Sequence, residues 1–465
     1  MRRIHISKQN RLLSKLYKLF FAILLINIVF ATNTYASMIN SVQPQGPGEA
    51  VVPNLPLSED NLFNIYDNHD FDNTNVIQRD PNEDQEHYNR RNSILGGNDA
   101  DIINIALESG GNNTRLIELM KKAKVGGEYT IACYGGSITY GALLGHNSER
   151  FGDIVYSWFC STFPKAKFNY VSSGLGASNT EMGCYRIERD LLQYKPDFVI
   201  VDFAVNTSNV DDIHSTYSTI LYKILNSAKK PAVCAINFTY SLKMIDGSYV
   251  PAQGIPDSGL LRAQTEFNIP TINYHKYVWT KIMNGEIYWP DFNADYIHPN
   301  KYGHNIAASL IKAYLQCLIP ENGIEVTSIP DGNYSYFVAD SKFMNVGYMT
   351  NENAEIKNNE YLKKCSNIDC YNRGWQYVEG GEGELEFTVP NQKRVGLTIL
   401  FTPNAKGYLD VESLDVGGHT YINSEVSDVL KLFYINLAGE KFKLTTKLTQ
   451  GSFKIFGICI NYEDG

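Results

Sequence analysis

The chain has 465 residues, of which 43% are hydrophobic and 20% are charged, and its formal net charge is −9. This length is more than one ordinary domain needs and indicates two or three folded units. An acidic chain lacks the basic surface that nucleic-acid binding requires, so we expect no nucleic-acid partner.

The first 36 residues have the pattern of an export signal. They carry six Lys or Arg and no acidic residue, and they contain the apolar run Leu19–Ala31. Small residues at Thr34 and Ala36 predict cleavage after Ala36. The run is shorter than the roughly 20 residues that cross a bilayer, although the long basic region leaves an uncleaved membrane anchor as the alternative. We therefore expect a secreted or cell-surface protein, with membrane contact only if this segment is retained.

Residues 37–99 are rich in Asn, Asp, Pro and Gln and have no apolar periodicity. This composition is typical of a chain that cannot bury enough apolar surface to fold. We expect a mostly disordered, acidic spacer between the export signal and the folded part.

From about residue 100 to residue 322, strand-like and helix-like segments alternate. Apolar residues at helical spacing surround the strand-like runs, and the last helix is predicted at Ile306–Leu318. This alternation is typical of an α/β domain with a parallel sheet covered by helices on both faces. The predicted buried strands are Tyr129–Tyr134, Phe168–Ser172, Phe198–Phe203 and Val233–Phe238.

From residue 325 to residue 465 the pattern changes to short alternating runs separated by Gly, Asn and Asp clusters. Long helical patterns are absent from this sequence. The pattern predicts a C-terminal all-β sandwich of about eight short strands. The clearest runs are Glu384–Val389, Val395–Phe401, Leu430–Leu437 and Phe453–Ile460.

Two features of this C-terminal part leave alternatives open. Trp375 and Tyr377 either contact a sugar or pack in the core, and core packing is favoured because alternating strands bury aromatic residues. Cys365 and Cys370 lie in a polar stretch where a local disulfide is an option for an exported protein. No second Cys/His pair stands at ligand spacing, so we expect no metal site.

Polar residues follow the ends of the predicted strands. Ser137 comes after the first strand, the turn Gly174–Ala177 after the second and Asn206 after the third, and the pair Asp295 and His298 is also expected just after a strand-like run and before the last helix. Open α/β sheets build their sites at the carboxyl ends of strands. We therefore expect these groups to lie close together.

Three of these residues have the chemistry of a catalytic triad. The hydroxyl of Ser137 is a weak nucleophile and needs a base within hydrogen-bond reach, for which His298 is the candidate. Asp295 would hold the imidazole in its working tautomer and stabilise the imidazolium. Asp291 is the alternative carboxylate and His304 the alternative base.

The other residues would stabilise an oxyanion. The candidate donors are the backbone N–H of Ser137, a backbone N–H of Gly176 or Ala177, and the side-chain amide of Asn206. The sequence does not decide between Gly176 and Ala177. Taken alone, Ser137 would more simply cap a helix, but the nucleophile, base and donors together complete a constellation for acyl transfer.

In these motifs the chain resembles the SGNH/GDSL hydrolases, in the secreted branch whose first block reads Gly-Gly-Ser-Ile-Thr-x-Gly. The resemblance covers roughly residues 112–318. It implies a flavodoxin-like α/β/α sandwich, ester hydrolysis without a cofactor, and carbohydrate O-acetyl esters as common substrates. The blocks that carry it are Gly135–Gly141, Ser173–Ser178, Ala204–Asn206 and Asp295–Asn300.

The chain departs from this family pattern at two positions. Thr207 stands where the family often has Asp after Asn206, and Ala177 stands where a second Gly is frequent. A backbone donor needs no particular side chain, so Ala177 can serve in that role.

The sequence therefore predicts a serine esterase that removes acetyl or another short acyl group from a saccharide or other small ester, through an acyl-enzyme on Ser137. One alternative is a glycan O-acyltransferase with the same site, and another is a non-catalytic glycan-binding protein. The C-terminal sandwich would contact glycan or brace the catalytic domain. No cofactor and no metal are expected.

Overall fold

The computed structural model describes most of the chain beyond residue 103. The predicted export signal and spacer lie outside the described residues, and so does Cys370 of the suggested disulfide. Within the described ranges, no helix combines the length and the apolar character that a membrane crossing needs. These ranges are residues 104–207, 212–245, 247–319, 332, 334–339, 341–351, 357–365, 374–378, 380–402, 404–426 and 430–462.

The first part of the described chain alternates strands and helices. Its strands are β1 (Leu107–Ser109), β2 (Gly127–Gly135), β3 (Ala166–Gly174), β4 (Phe198–Asp202), β5 (Ala232–Ile236), β6 (Ser241–Lys243), β7 (Tyr249–Pro251) and β8 (Thr271–Ile272). Its helices are α1 (Thr114–Val125), α2 (Ser137–Tyr140), α3 (Phe151–Thr162), α4 (Thr180–Asp190), α5 (Ile213–Leu225), α6 (Ser258–Glu266), α7 (Tyr274–Met283), α8 (Trp289–Phe292) and α9 (Lys301–Leu318).

The main sheet of this part has the order β1-β8-β5-β4-β2-β3. Its five strands β3, β2, β4, β5 and β8 pair in parallel, whereas β1 pairs antiparallel to β8. The parallel order β3-β2-β4-β5-β8 is the flavodoxin-like arrangement. The predicted fold class, a flavodoxin-like α/β/α sandwich, is confirmed.

Apolar cores lie on both faces of this sheet. In β2, Ile131 and Cys133 pack with residues of α1, α3 and α9, whereas Ala132 and Tyr134 pack with residues of α4, α5 and α6. Because successive side chains point to opposite faces, a strand that is covered on both sides needs an unbroken apolar run. This requirement is why the buried strands can be recognised in the sequence.

The second part is all β, as the sequence predicts. It contains eleven strands within the described residues, more than the predicted eight or so, because several are only two to four residues long. They are β9 (Val346–Met349), β10 (Lys357–Asn358), β11 (Leu362–Lys364), β12 (Trp375–Tyr377), β13 (Glu384–Thr388), β14 (Gln392–Phe401), β15 (Lys406–Ser413), β16 (His419–Asn423), β17 (Lys431–Ile435), β18 (Lys441–Gln450) and β19 (Phe453–Tyr462).

These strands form two antiparallel sheets that share one core. One sheet has the order β10-β13-β18-β15-β16 and the other β11-β12-β19-β14-β17, with β9 also paired to β19. Leu385 and Leu409 of the first sheet pack with Leu397 and Ile458 of the second. Trp375 is fully buried in this core, so the predicted core packing is confirmed and a sugar contact at Trp375 is excluded.

The β-sandwich packs directly against helix α4 and the turn that precedes it. Leu175 and Met182 form an apolar cluster with Leu430 and Phe456. The hydroxyl of Tyr185 on α4 also donates a hydrogen bond to the side chain of Asn461 on β19. This contact brings strands β14, β17 and β19 to the carboxyl edge of the parallel sheet.

Candidate active site

The loop after β2 brings Ser137 close to the end of β4. A Cβ atom on Gly135 would lie 2.3 Å from the carbonyl oxygen of Asp202, and a Cβ atom on Gly136 would lie 2.5 Å from Nδ2 of Asn206. A side chain at position 135 would clash with backbone, so glycine is required there, and a side chain at position 136 would displace the amide of Asn206. The two glycines therefore let the nucleophile loop pack against the loop that carries Asn206.

Ser137, His298 and Asp295 form one hydrogen-bonded chain. His298 Nε2 lies 3.0 Å from Ser137 Oγ, and His298 Nδ1 lies 2.8 Å from Asp295 Oδ2. An ionised carboxylate can only accept, so Nδ1 carries the proton and Nε2 is left to accept from the Ser137 hydroxyl. Ser137 is only 7% exposed, which leaves its hydroxyl in a largely desolvated position.

Backbone groups fix the carboxylate of Asp295. Its Oδ1 accepts hydrogen bonds from the N–H groups of Ile297 and His298, both at 2.7 Å. Partial burial works to raise the pKa of Asp295, but these bonds and the bond to the imidazole outweigh it and lower the pKa below its usual value. Asp295 is therefore ionised at neutral pH and suited to stabilise a charged imidazole.

The loop that carries Asp295 and His298 is closed at its base. Asn293 and Pro299 form an isolated antiparallel bridge across it. The indole N–H of Trp289 donates to the carbonyl oxygen of Asp295 at 2.9 Å. After the loop, Asn300 caps the start of α9 with its side-chain oxygen. These contacts brace the loop, which follows helix α8 and not a strand as the sequence predicts.

The alternative triad residues have other partners. The carboxylate of Asp291 accepts from the N–H of Tyr288 at 2.9 Å, where it caps the short helix α8. His304 is fully buried, and its Nδ1 accepts from the N–H of Phe151 at 3.2 Å. Burial lowers the pKa of His304 to about 3, so this imidazole stays neutral. The hydrogen bonds of Asp291 and His304 thus go to backbone groups and not to the residues of the triad.

The predicted oxyanion donors line the same cleft as the triad. Ser137, Gly176, Ala177 and Asn206 all border it together with His298. Ala177 has φ = 55°, the left-handed conformation in which glycine is common, at a cost of about 1 kcal/mol for a residue with a Cβ. Both Gly176 and Ala177 lie at the cleft, so the choice between their N–H groups stays open.

The cleft has a volume of about 690 Å³ and walls from both parts of the chain. The β-sandwich contributes several side chains to it, most of them apolar. The residues lie in or beside β14, β17 and β19, and the long buried runs of β14 and β19 indicate that both faces of this sheet are covered. The residues that line the cleft from this side are Leu400, Leu430, Lys431, Leu432 and Phe456.

Asp202 is a residue near the site that the sequence reasoning missed. It ends β4, is buried, and accepts a hydrogen bond from the hydroxyl of Thr139 at 3.0 Å. Burial raises the pKa of Asp202 to about 7. A single acidic residue in an otherwise apolar strand was the available signal, since a buried carboxylate needs a specific partner.

Within the described ranges, no group of His, Cys, Asp and Glu side chains is arranged to hold a metal ion. The candidate site offers a nucleophile, a base and hydrogen-bond donors. This set suits acyl transfer.

No family model matches the chain, and no curated protein matches its sequence. Among solved structures, it is similar to a two-domain esterase (CEX) active on acetylated mannans, with 22% identity and a TM-score of 0.61. The similarity covers 77% of this chain and 98% of that chain. The structure of that esterase co-crystallised with mannopentaose gives 22% identity and a TM-score of 0.59 over the same shares. The two chains share a two-domain fold, which confirms at the level of the fold the resemblance drawn from the four sequence blocks.

Proposed function

We propose that this protein is a serine esterase of the SGNH/GDSL type that removes acetyl or another short acyl group from a carbohydrate. The observation that carries the proposal is the hydrogen-bonded triad of Asp295, His298 and Ser137, with contacts of 2.8 and 3.0 Å, at a cleft bordered by candidate oxyanion donors. Each member has the partner that its role requires.

Catalysis begins when Ser137 Oγ attacks the ester carbonyl carbon and His298 Nε2 takes the hydroxyl proton. The oxyanion that forms accepts hydrogen bonds from the N–H groups of Ser137 and of Gly176 or Ala177, and from the amide of Asn206. Each such donor lowers the barrier by about 3–4 kcal/mol. Asp295 stabilises the imidazolium during this step.

The tetrahedral intermediate collapses when the bond to the leaving alcohol breaks and His298 gives that alcohol its proton. A water molecule then attacks the acyl-enzyme, with His298 again taking the proton. The carboxylic acid leaves, Ser137 recovers its hydroxyl proton, and no cofactor is consumed.

The carbohydrate part of the proposal is supported by the cleft and by the fold neighbour. The cleft of about 690 Å³ is much larger than an acetyl group, so the rest of the substrate also fits inside it. The neighbouring structure of similar two-domain fold is an esterase active on acetylated mannans. The wall from the β-sandwich supports a glycan contact through the C-terminal domain.

The proposal extends to the organisation of the whole chain. Residues 1–36 would direct export and residues 37–99 would form a spacer. Residues 100–322 would form the hydrolase domain and residues 325–465 the accessory β domain. The protein would then act outside the cell or at its surface.

The test compares hydrolysis of p-nitrophenyl acetate, butyrate and octanoate, together with acetate release from acetylated mannan and xylan. The full chain is measured beside its Ser137→Ala variant. We expect a preference for acetate that disappears in the variant. Equal rates in the two proteins would overturn the serine mechanism, and adding an acceptor sugar would detect transfer in place of hydrolysis.

A further inference from the structure

A buried arginine lies behind the candidate oxyanion site. Arg186 on helix α4 is 1% exposed and is not among the residues that line the cleft. Its guanidinium donates to the carbonyl oxygens of Gly135 at 2.6 Å and Ser173 at 3.0 Å. It also donates to Ser178 Oγ at 3.0 Å and to Asp190 Oδ2 at 3.1 Å.

Three of these acceptors belong to the loops that carry the reacting groups. Gly135 ends β2, two residues before the nucleophile Ser137. Ser173 lies at the end of β3, and Ser178 directly follows the Gly176–Ala177 turn. The planar guanidinium therefore joins the nucleophile loop to both sides of the turn that offers the second oxyanion donor.

The third donor is connected to the same guanidinium through one residue. Asn206 Nδ2 donates to the carbonyl oxygen of Ser178 at 3.3 Å. Ser178 thus binds Arg186 through its hydroxyl and Asn206 through its carbonyl oxygen. All three sources of oxyanion donors are linked to one side chain.

The charge of Arg186 is balanced inside the protein. Burial alone would raise the pKa of Asp190, but Arg189 and Arg186 outweigh it and hold that pKa below its usual value. The ring of Tyr134 lies 4.5 Å from the guanidinium carbon and adds a cation–π contact. A buried ion pair is weak evidence for stability, because an apolar replacement often serves as well. The positions of the acceptors on three different segments indicate instead that the arginine fixes the relative placement of those segments.

We propose that Arg186 is a positioning residue for the oxyanion hole, holding the segments around Gly135, Ser173 and Ser178 so that the donors converge on one point. Arg186 does not contact the substrate and acts through the loops it binds. The inference rests on the proposed esterase function. A lysine cannot replace it fully, since a single ammonium lacks the fork that reaches several acceptors at once.

The test uses Arg186→Lys and Ser178→Ala, with Arg115→Lys as the matched control. Arg115 on α1 also bridges backbone carbonyls, those of Leu225 at 3.0 Å and Pro231 at 3.1 Å, but it does so before β5 begins, at the amino edge of the sheet. Misplacing catalytic groups by about 1 Å costs on the order of 100-fold in rate. We expect kcat to fall roughly 10- to 100-fold in Arg186→Lys and less in Ser178→Ala, with KM changed by less than about threefold.

The control separates positioning from stability. Arg115→Lys should lower the melting temperature as Arg186→Lys does, yet keep kcat. Folding of each variant is checked by circular dichroism. If Arg186→Lys does not fold, Ser178→Ala carries the test, because it removes one acceptor and leaves the charges unchanged. A folded Arg186→Lys or Ser178→Ala protein with wild-type kcat would overturn the proposal.

A second measurement distinguishes this proposal from the esterase proposal. Phenylboronic acid forms a tetrahedral adduct with an activated serine and places an anionic oxygen where the oxyanion develops. Arg186→Lys should weaken its binding by about the same factor as kcat, while Ser137→Ala should abolish binding. Ser137-dependent boronate binding that Arg186→Lys leaves unchanged would reject the positioning role alone. Absence of boronate binding and hydrolysis in the wild-type protein would reject both proposals.

Discussion

Thr139, two residues after the candidate nucleophile Ser137, donates a hydrogen bond from its hydroxyl to Asp202 Oδ2 at 3.0 Å. The other carboxyl oxygen of Asp202 has no hydrogen-bond partner among the described residues. The pair ties helix α2, which begins at Ser137, to the carboxyl end of β4. A buried carboxyl at this point links the pH of the solution to the stability of the site.

We expect Asp202 to lower the stability of the protein as the pH rises from about 4 to about 7. Burial raises the pKa of Asp202 to about 7, against 3.8 for a free side chain. At this site the folded state therefore binds more protons than the unfolded state between about pH 4 and pH 7, and the contribution of Asp202 to the free energy of unfolding declines over that window. Burial lowers the pKa of His275 to about 4 and that of His304 to about 3, and these groups act in the opposite direction, so the effect of Asp202 is measured as the difference between the wild-type protein and a variant. Asp202→Asn, which resembles the protonated form, should remove this decline. The stability of the variant relative to the wild-type protein should be greater by roughly 4 kcal/mol at pH 8 than below pH 4.

Urea unfolding of both proteins at pH 5 and pH 8 measures the effect. Thr139→Ser keeps the donated hydrogen bond and is the control, which should retain the wild-type pH dependence. If the stabilities of Asp202→Asn and the wild-type protein change in parallel between pH 5 and pH 8, Asp202 does not have the raised pKa.

Asp295 and Asp291 provide a direct comparison of two nearby carboxylates. Asp295→Asn can no longer hold the proton on Nδ1 of His298, so the imidazole loses the tautomer in which Nε2 accepts from the Ser137 hydroxyl. We expect kcat to fall by about 10³–10⁴, as in other triads with this change. Asp291→Asn weakens the cap of α8 and should cost about 1 kcal/mol of stability or more while keeping kcat.

Both variants are assayed with p-nitrophenyl acetate, and their melting temperatures are recorded. A large loss of kcat in Asp291→Asn together with little change in Asp295→Asn would reverse the assignment of the orienting carboxylate.

The sequence predicts those secondary-structure elements that follow from a local pattern of apolar residues. Strands β4 and β5 and the second half of β2 are recognisable because they are buried on both faces and almost entirely apolar. The edge strand β3 is only partly buried, and Lys167 and Asn169 interrupt its apolar run. Strands β1 and β8 have two or three residues and no detectable period, so their places in the sheet depend on the packed structure. The same limit applies to the hairpin of β6 and β7.

The residues of the candidate site also differ in whether a local sequence pattern predicts them. Ser137, Asn206 and His298 are recognisable because they belong to short blocks next to strands or the last helix. The interaction of Arg186 with three loops depends on backbone atoms that only folding brings together, although its pairing with Asp190 at i,i+4 is a local feature. The cleft wall from β14, β17 and β19 depends on how the two parts pack, which no local pattern encodes.

The wall from the β-sandwich should affect large substrates more than small ones. Leu432 on β17 lines the cleft from this side. Leu432→Asn makes the wall polar and should raise KM for an acetylated mannooligosaccharide several-fold, because sugar rings bury apolar faces against such surfaces. The kcat/KM for p-nitrophenyl acetate should stay within about twofold, since a small ester contacts little of the wall.

Leu437, which follows β17 and is half-buried outside the cleft, is the control for this change. Leu437→Asn should leave both substrates unaffected. Equal losses for the oligosaccharide and the small ester in Leu432→Asn would show that the residue acts on the triad and not on glycan binding.

Ala177→Gly tests whether the second block contributes through its backbone. Ala177 has φ = 55°, and glycine adopts this conformation without the penalty of about 1 kcal/mol that a Cβ incurs. The greater freedom of glycine in the unfolded chain offsets part of that gain, so the free energy of unfolding should change by less than about 1 kcal/mol. Because the N–H is kept, kcat on p-nitrophenyl acetate should stay within about threefold of wild type.

Asn268→Gly, at φ = 50° after α6, is the matched control for the backbone change and should also keep kcat. A tenfold loss of kcat in Ala177→Gly alone would show that the methyl group of Ala177, and not only its N–H, shapes the oxyanion site.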